Sequence, residues 1–214
     1  MGTVTLDRPW LAFDLGAQMQ VLSWAVNRPG FVTANRIIWR EVRNRDLPRD
    51  LDVEAWFHQE LAGQGELEAV AFLTSRDVRF FSESHAQVGA VAAHAVATVG
   101  LSNGERVGRR VDYSGRDWGT INVALHLSVG LTQTALIEAL SIAVQARTAA
   151  VMDAQFELPT GIATGTGTDC VAVAAPQGAG AYAGLHTETG EAIGRAVYQA
   201  VLNGALDWKS HRKE

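Results

Sequence analysis

The sequence predicts a mixed α/β or α+β domain, one largely mixed sheet with about three helices packed on it. Three observations lead there. Segments of strand character outnumber helical ones, several strands follow one another with no helix between, and no repeat, linker or low-complexity stretch divides the 214 residues. The whole chain, 1–214, therefore reads as a single domain. A strand-rich N-terminal part, 1–70, precedes a core, 71–206, that carries the notable motifs. Hydrophobic residues make up 47% and charged residues 19% of the chain, which suits a packed core and not a disordered segment.

The first fifty residues read as short strands, "WLAFDL", "MQVLSWAV" and "NRIIWREV", with the turn signal "RPG" at Arg28–Gly30 before the third. A helix is expected from Asp52 to Gly63. Asp50 or Asp52 can cap it, Val53, Trp56, Phe57 and Leu61 share one face, and Gly63 would end it. "EAVAFLTS" reads as a buried strand. In "AQVGAVAAHAVATVGL" the second half reads as a strand running into the turn "SNG", and "GTINVALHLSV" as the next. The clearest helix runs from Thr132 to about Asp153. Thr132 stands at its N-cap, Leu131 and Leu136 form a hydrophobic staple, and Leu136, Leu140, Ala143, Val144 and Val151 line its inner face. "CVAVAA" is a short buried strand. The last helix starts near Thr187, turns Ile193, Ala196, Val197, Ala200 and Val201 inward, and reaches Gly204 where a C-cap would stand.

Charge and cysteine content exclude several function classes. The net charge is −5 and the pI about 5.7, with no basic run except the terminal "KSHRKE", so no nucleic-acid partner is expected. Cys170 is the only cysteine, which leaves no intrachain disulfide and fits a reducing compartment. "MGTVTLDRPW" has no basic region leading into an apolar core, and the uninterrupted apolar runs are short, so neither a signal peptide nor a membrane partner is expected. A cytoplasmic location follows as the expectation. Homo-oligomerisation is compatible with the sequence and not specified by it.

The chemistry concentrates in three stretches. "TGIATGTGTDC", Thr160 to Cys170, packs three glycines and four threonines ahead of an acid. It joins a helix to a strand and lacks the Gly-Lys-Ser/Thr of a phosphate-binding loop, but glycines alternating with hydroxyls can aim several N–H groups at an oxygen-rich ligand. The plain alternative is a tight connection in which Asp169 bonds its own turn. "AGLHTETGEAIGRAV" places His186 just before a helix start, Thr187 at the cap, and Glu188 and Glu191 in the first turn. The positive helix end favours a neutral imidazole, the form a general base needs, although acids in a first turn also serve plain capping. "TVGLSNGERVG" ends a strand in a turn with Ser102 and Asn103. A side-chain amide there can donate to an oxyanion or read a carboxamide, while Asn-Gly is itself a strong hairpin signal. Asn122, opening a strand in "DWGTIN", is placed similarly.

Of the six histidines, His85, His94 and His126 lie on separate segments without a zinc-site spacing, His58 on the first helix and His211 in the tail, so no metal is expected. No G-x-S-x-G elbow is present, and Cys170 enters an apolar strand as an inert thiol.

Taken together and in order, "TVGLSN" (98–103), "GTIN" (119–122), "ATGTGTD" (163–169) and "YAGLHTETGEAIGRAVYQAV" (182–201) resemble the adenosylcobinamide amidohydrolase family of corrinoid salvage. The resemblance runs from about Phe72 to Val201. It implies hydrolysis of the amide between the aminopropanol arm and the corrin ring, giving adenosylcobyric acid and aminopropanol. The corrinoid is then the substrate and small-molecule partner, and no cofactor is implied. Within that reading His186 or Asp169 would be the base, Glu191 the orienting or proton-shuttling acid, and Asn103 the polarising donor. Ser102, Asn122, Thr164, Gly165, Thr166, Gly167, Thr168 and Thr187 would contact the corrinoid. Two rivals stay open, a corrinoid-binding protein without catalysis and a metal-dependent hydrolase of another amide.

Overall fold

The structure is a computed structural model that describes residues 1–43, 46–48, 50–110 and 119–211. Its strands are β1 (Thr3–Asp7), β2 (Trp10–Ser23), β3 (Gly30–Glu41), β4 (Val70–Thr74), β5 (Ser82–Val88), β6 (Val91–Val99), β7 (Gly104–Glu105), β8 (Ile121–Leu127), β9 (Glu157–Leu158), β10 (Gly161–Ile162), β11 (Gly165–Thr166) and β12 (Cys170–Ala175). The helices are α1 (Val53–Gln64), α2 (Gln133–Asp153) and α3 (Glu188–His211). One eight-stranded sheet runs β4-β3-β2-β12-β8-β6-β5, with β1 added to β2. It is mixed, since β3–β4 and β8–β12 are parallel and the other pairs antiparallel. The expected single mixed α/β domain is what forms.

Several elements differ from the sequence reading. "WLAFDL" and "MQVLSWAV" are one strand, β2, whose register shifts between Asp14 and Met19. Gly16 there takes a φ of 78°, which a strand accommodates as a bulge, and the irregularity reads in sequence as a break. β1 and β5 were not anticipated. Both are edge strands, largely exposed, and their sequences TVTLD and SESHAQV carry no apolar run to mark them. α1 continues past Gly63 to Gln64 and is capped by Gly65 at φ 70°; at its start the Asp52 carboxylate accepts from Ala55 N–H. Gly204 does not end α3 but lies within it. A Cβ there would stand 2.8 Å from Val99 Cγ2, so glycine lets the helix approach β6.

The sheet coils until its far edge meets its middle. Asn122 on β8 donates to the Leu73 carbonyl of β4 at 2.7 Å, and Thr98 on β6 reaches Thr74 at 3.4 Å. Inside the roll Phe13, Val21, Ile37, Trp39, Phe72, Val96 and Ala174 form one core cluster. On the outer face α2 and α3 cover β6, β8 and β12 through Ala95, Ala97, Val123, Leu125 and Val173, and α1 covers β3 and β4 through Phe57 and Leu61. Ile193, Ala196, Val197, Ala200 and Val201 face that core as the helical period requires. Thr132 caps α2 by accepting from Ala135 N–H. α2 is long and apolar enough to cross a bilayer, with a mean hydropathy of 1.4, and in this fold its face from Ala135 to Val151 is part of the core.

Candidate functional site

At the end of the sheet where β6 leaves and β8 and β12 begin, two loops are tied together. Gly104–Glu105 pairs with Gly165–Thr166 as a separate two-stranded ladder, β7 with β11. Thr164 strengthens the joint: its N–H donates to the Glu105 carbonyl at 2.8 Å, and its Oγ1 accepts from Val107 N–H at 2.8 Å. The pairing builds one wall of a cleft of about 760 Å³. Trp24, Glu105, Arg106, Arg109, Arg110, Arg147 and, from the loop, Thr164, Gly165, Thr166, Gly167 and Asp169 line it, while Thr168 does not.

The glycine-threonine loop is held by its own acid. Asp169 Oδ1 accepts from Ile121 N–H at 3.0 Å and from the Thr166 hydroxyl at 2.5 Å. Oδ2 accepts from Thr166 N–H at 2.9 Å and from Arg147 on α2 at 2.5 Å. Burial pushes the Asp169 carboxyl up, while Arg147, the Thr166 hydroxyl and the two backbone donors pull the other way. Four donors are directed at the carboxylate, and such saturation arises when the ionised form is the one being held; it also leaves poor access for taking a proton from water. Gly165 is required at this crossing, because a Cβ would enter the space of both Arg147 Nη1 and Asp169 Oδ2. Trp24 adds to the brace by donating from its indole to the Asp169 carbonyl at 2.7 Å.

Asn103 sits buried beside this loop. Its Oδ1 accepts from Gly119 N–H at 3.1 Å, and a Cβ on Gly167 would stand 3.9 Å from its Nδ2, so the amide donor is turned toward the loop. Thr168 closes the contact by donating to the Gly119 carbonyl at 2.9 Å. Asn103 and residues 164–169 thus meet in one place.

His186, Thr187 and Glu191 do not join them. Thr187 caps α3, its Oγ1 accepting from Gly190 N–H at 2.9 Å and its carbonyl from Glu191 N–H at 3.0 Å. His186 is exposed, and Glu191 pairs with Arg195 on the solvent face. The start of α3 lies beside the start of α2, where Glu138 accepts from Ala183 N–H at 2.6 Å; Asp169 lies beside Arg147, more than two turns further along α2. Crossing the sheet from one end of β12 to the other takes its whole length, about 20 Å at roughly 3.3 Å per residue. The structure thus does not bring His186 and Glu191 together with Asn103 and Asp169.

Residues 2–213 match the adenosylcobinamide amidohydrolase family. The chain belongs to that family. An uncharacterized protein of Methanocaldococcus jannaschii is 35% identical over 92 residues, 41% of this chain and 36% of the relative, so the aligned chain spans about a third of that relative. A crystal structure of a Pyrococcus horikoshii OT3 protein superposes with a TM-score of 0.45 at 8% identity, covering 91% of this chain and 76% of that one.

In this amidohydrolase-family fold the remaining nominated residues take distinct positions. Ser102 is exposed on the turn before Asn103. Asn122 is buried within the coiled sheet, accepting from Thr120 and donating to Leu73, and does not line the cleft. Asp117 and Trp118 of "DWGTIN" lie outside the described residues, as does the end of "KSHRKE". Sequence reasoning missed Arg147, which reads as one polar residue on a helix, and the arginines of "ERVGRR", which the fold gathers on the cleft. It also separated three histidines that register aligns across β5, β6 and β8, as His85↔His94↔His126.

Proposed function

We propose that the chain hydrolyses the amide joining the aminopropanol arm to the corrin ring of adenosylcobinamide, with the corrinoid bound in the cleft between Trp24 and the Thr164–Asp169 loop. The observation that carries this reading is the junction of β7 with β11. It brings together Asn103 of "TVGLSN" and the "ATGTGTD" loop, in a chain whose family match spans residues 2–213. Gly167, exposed on the loop and without a side chain, lets a broad, rigid macrocycle approach the backbone. Arg106, Arg109 and Arg110 supply donors for the carbonyls of the corrin's amide arms. The Trp24 ring offers an apolar wall.

The chemistry then divides between the cleft residues and Asn103, which is buried behind the glycine-threonine loop and not on the cleft wall. Glu105, on the same wall, takes a proton from water as the water oxygen bonds to the amide carbon. The Asn103 amide donates to the oxyanion that forms. The C–N bond breaks as the proton passes to the leaving amine, releasing aminopropanol and adenosylcobyric acid. Arg147 and Asp169 act as the brace that sets the loop. The pure chain incubated with adenosylcobinamide, with corrinoids resolved by mass and charge, should accumulate adenosylcobyric acid. Stoichiometric binding of an intact corrinoid would favour the non-catalytic alternative instead.

A further inference from the structure

The hairpin of β5 and β6 carries a cluster that the hydrolysis does not use. Antiparallel register sets His85 directly opposite His94, and strand alternation sets Glu83 on the same face, two residues along. Glu83 Oε2 lies 3.2 Å from His94 Nε2, and the His85 and His94 rings stack with centroids 3.8 Å apart. One ligand atom from each of the three lies within 4.8 Å of the others. His94 is buried, 2% exposed, and packs edge-to-face with Phe13, ring centroids 4.7 Å apart, whereas Glu83 and His85 are exposed. Burial, with His85 adding to it, holds the His94 imidazole below its ordinary pKa. On the other side of His94, His126 accepts from Gly2 N–H through Nδ1 and completes the row.

We propose that Glu83, His85 and His94 bind a divalent transition metal ion, zinc or a metal of similar preference, with the remaining position open to solvent. Two imidazoles and one carboxylate select such ions over magnesium and calcium, which require oxygen ligands. Zinc held at about 2.0–2.1 Å from each nitrogen spaces tetrahedral ligands about 3.4 Å apart. The cluster is therefore about 1.4 Å too wide at most. Glu83 and His85 can close that gap by side-chain rotation, because both are exposed on an edge strand, while packing fixes His94. None of the three residues lines the cleft, and the site's existence does not depend on amide hydrolysis.

The test is calorimetric titration of Zn²⁺ into the tag-free, chelator-stripped chain, with Co²⁺ absorption as a reporter of coordination geometry. The wild-type chain should bind one zinc ion per chain. Glu83→Gln and His85→Ala should each weaken that binding by about tenfold or more with folding unchanged, since both residues are exposed. His94→Ala should abolish it, but a fold defect there would not affect the two surface variants. No binding by the wild-type chain, or wild-type affinity in either surface variant, overturns the proposal.

Discussion

Arg147 Nη1 lies 2.5 Å from Asp169 Oδ2, and the pair meets directly over Gly165. The side chains are 12% and 7% exposed, so the pair is buried from most of the screening that makes surface ion pairs weak. The relationship ties α2 to the start of β12 and sets the shape of the glycine-threonine loop. Asp169→Asn leaves the guanidinium without its counter-charge and should destabilise the fold by about 3 kcal/mol. For a domain of this size that is a fall of roughly 6–12 °C in Tm. A thermal melt checks it; an unchanged Tm would mean that the pair contributes nothing to the fold.

Gly204 sets two effects against each other. Alanine within a helix is favoured over glycine by about 1 kcal/mol. A Cβ at 204, however, would stand 2.8 Å from Val99 Cγ2 and 3.2 Å from Val99 Cβ, and that strand residue is fully buried. Overpacking of this kind costs about 1–3 kcal/mol, so the collision wins. Gly204→Ala should lower stability by about 1 kcal/mol in urea denaturation, and a gain would show that α3 can move off β6.

His126 makes stability depend on pH. Burial, with the N-terminal amine and His94 adding to it, pushes its pKa down to about 4, and its Nδ1 accepts from Gly2 N–H, which only the neutral ring can do. The unfolded chain binds this proton from about pH 6.5 downward and the folded chain only near 4. Stability contributed by the neutral ring is therefore full above pH 6.5 and falls as pH drops toward 4, by about 3 kcal/mol at most. Urea midpoints at pH 7 and pH 5 should differ accordingly, and His126→Gln should reduce the difference. Equal midpoints in the wild-type chain would contradict the burial of a neutral ring.

How much of this was legible in the sequence follows from range. α2 and α3 could be read because their signals are local: Thr132 accepts three residues on, and Ile193, Ala196, Val197, Ala200 and Val201 repeat with the helical period. β5 could not, because an edge strand exposed on one face, SESHAQV, needs no apolar alternation. The glycine-threonine loop stood out, but what it holds did not, since Arg147 comes from 22 residues away and looks like any polar position on a helix. His186 and Asp169 looked like parts of one site, each beside polar and small residues. Only the direction of β12 places them at opposite ends of the sheet.

Asn103 joins the site's geometry to its chemistry. Its Oδ1 holds Gly119 while its Nδ2 turns toward the loop. Asn103→Asp keeps the acceptor for Gly119 and removes the donor, and should lose about 10²–10³ in turnover, the usual effect of deleting one oxyanion donor, with a thermal melt separating that loss from the cost of a buried charge. A variant with normal turnover would remove Asn103 from the reaction.

The most direct measurement of the central claim is the rate at which the wild-type chain, Asn103→Asp and His186→Ala each form adenosylcobyric acid from adenosylcobinamide. A cleft-centred hydrolysis predicts product from the wild-type chain, a rate within about twofold of it from His186→Ala, and near loss in Asn103→Asp. Loss in His186→Ala with turnover retained in Asn103→Asp would place the reaction at the start of α3 and contradict the account.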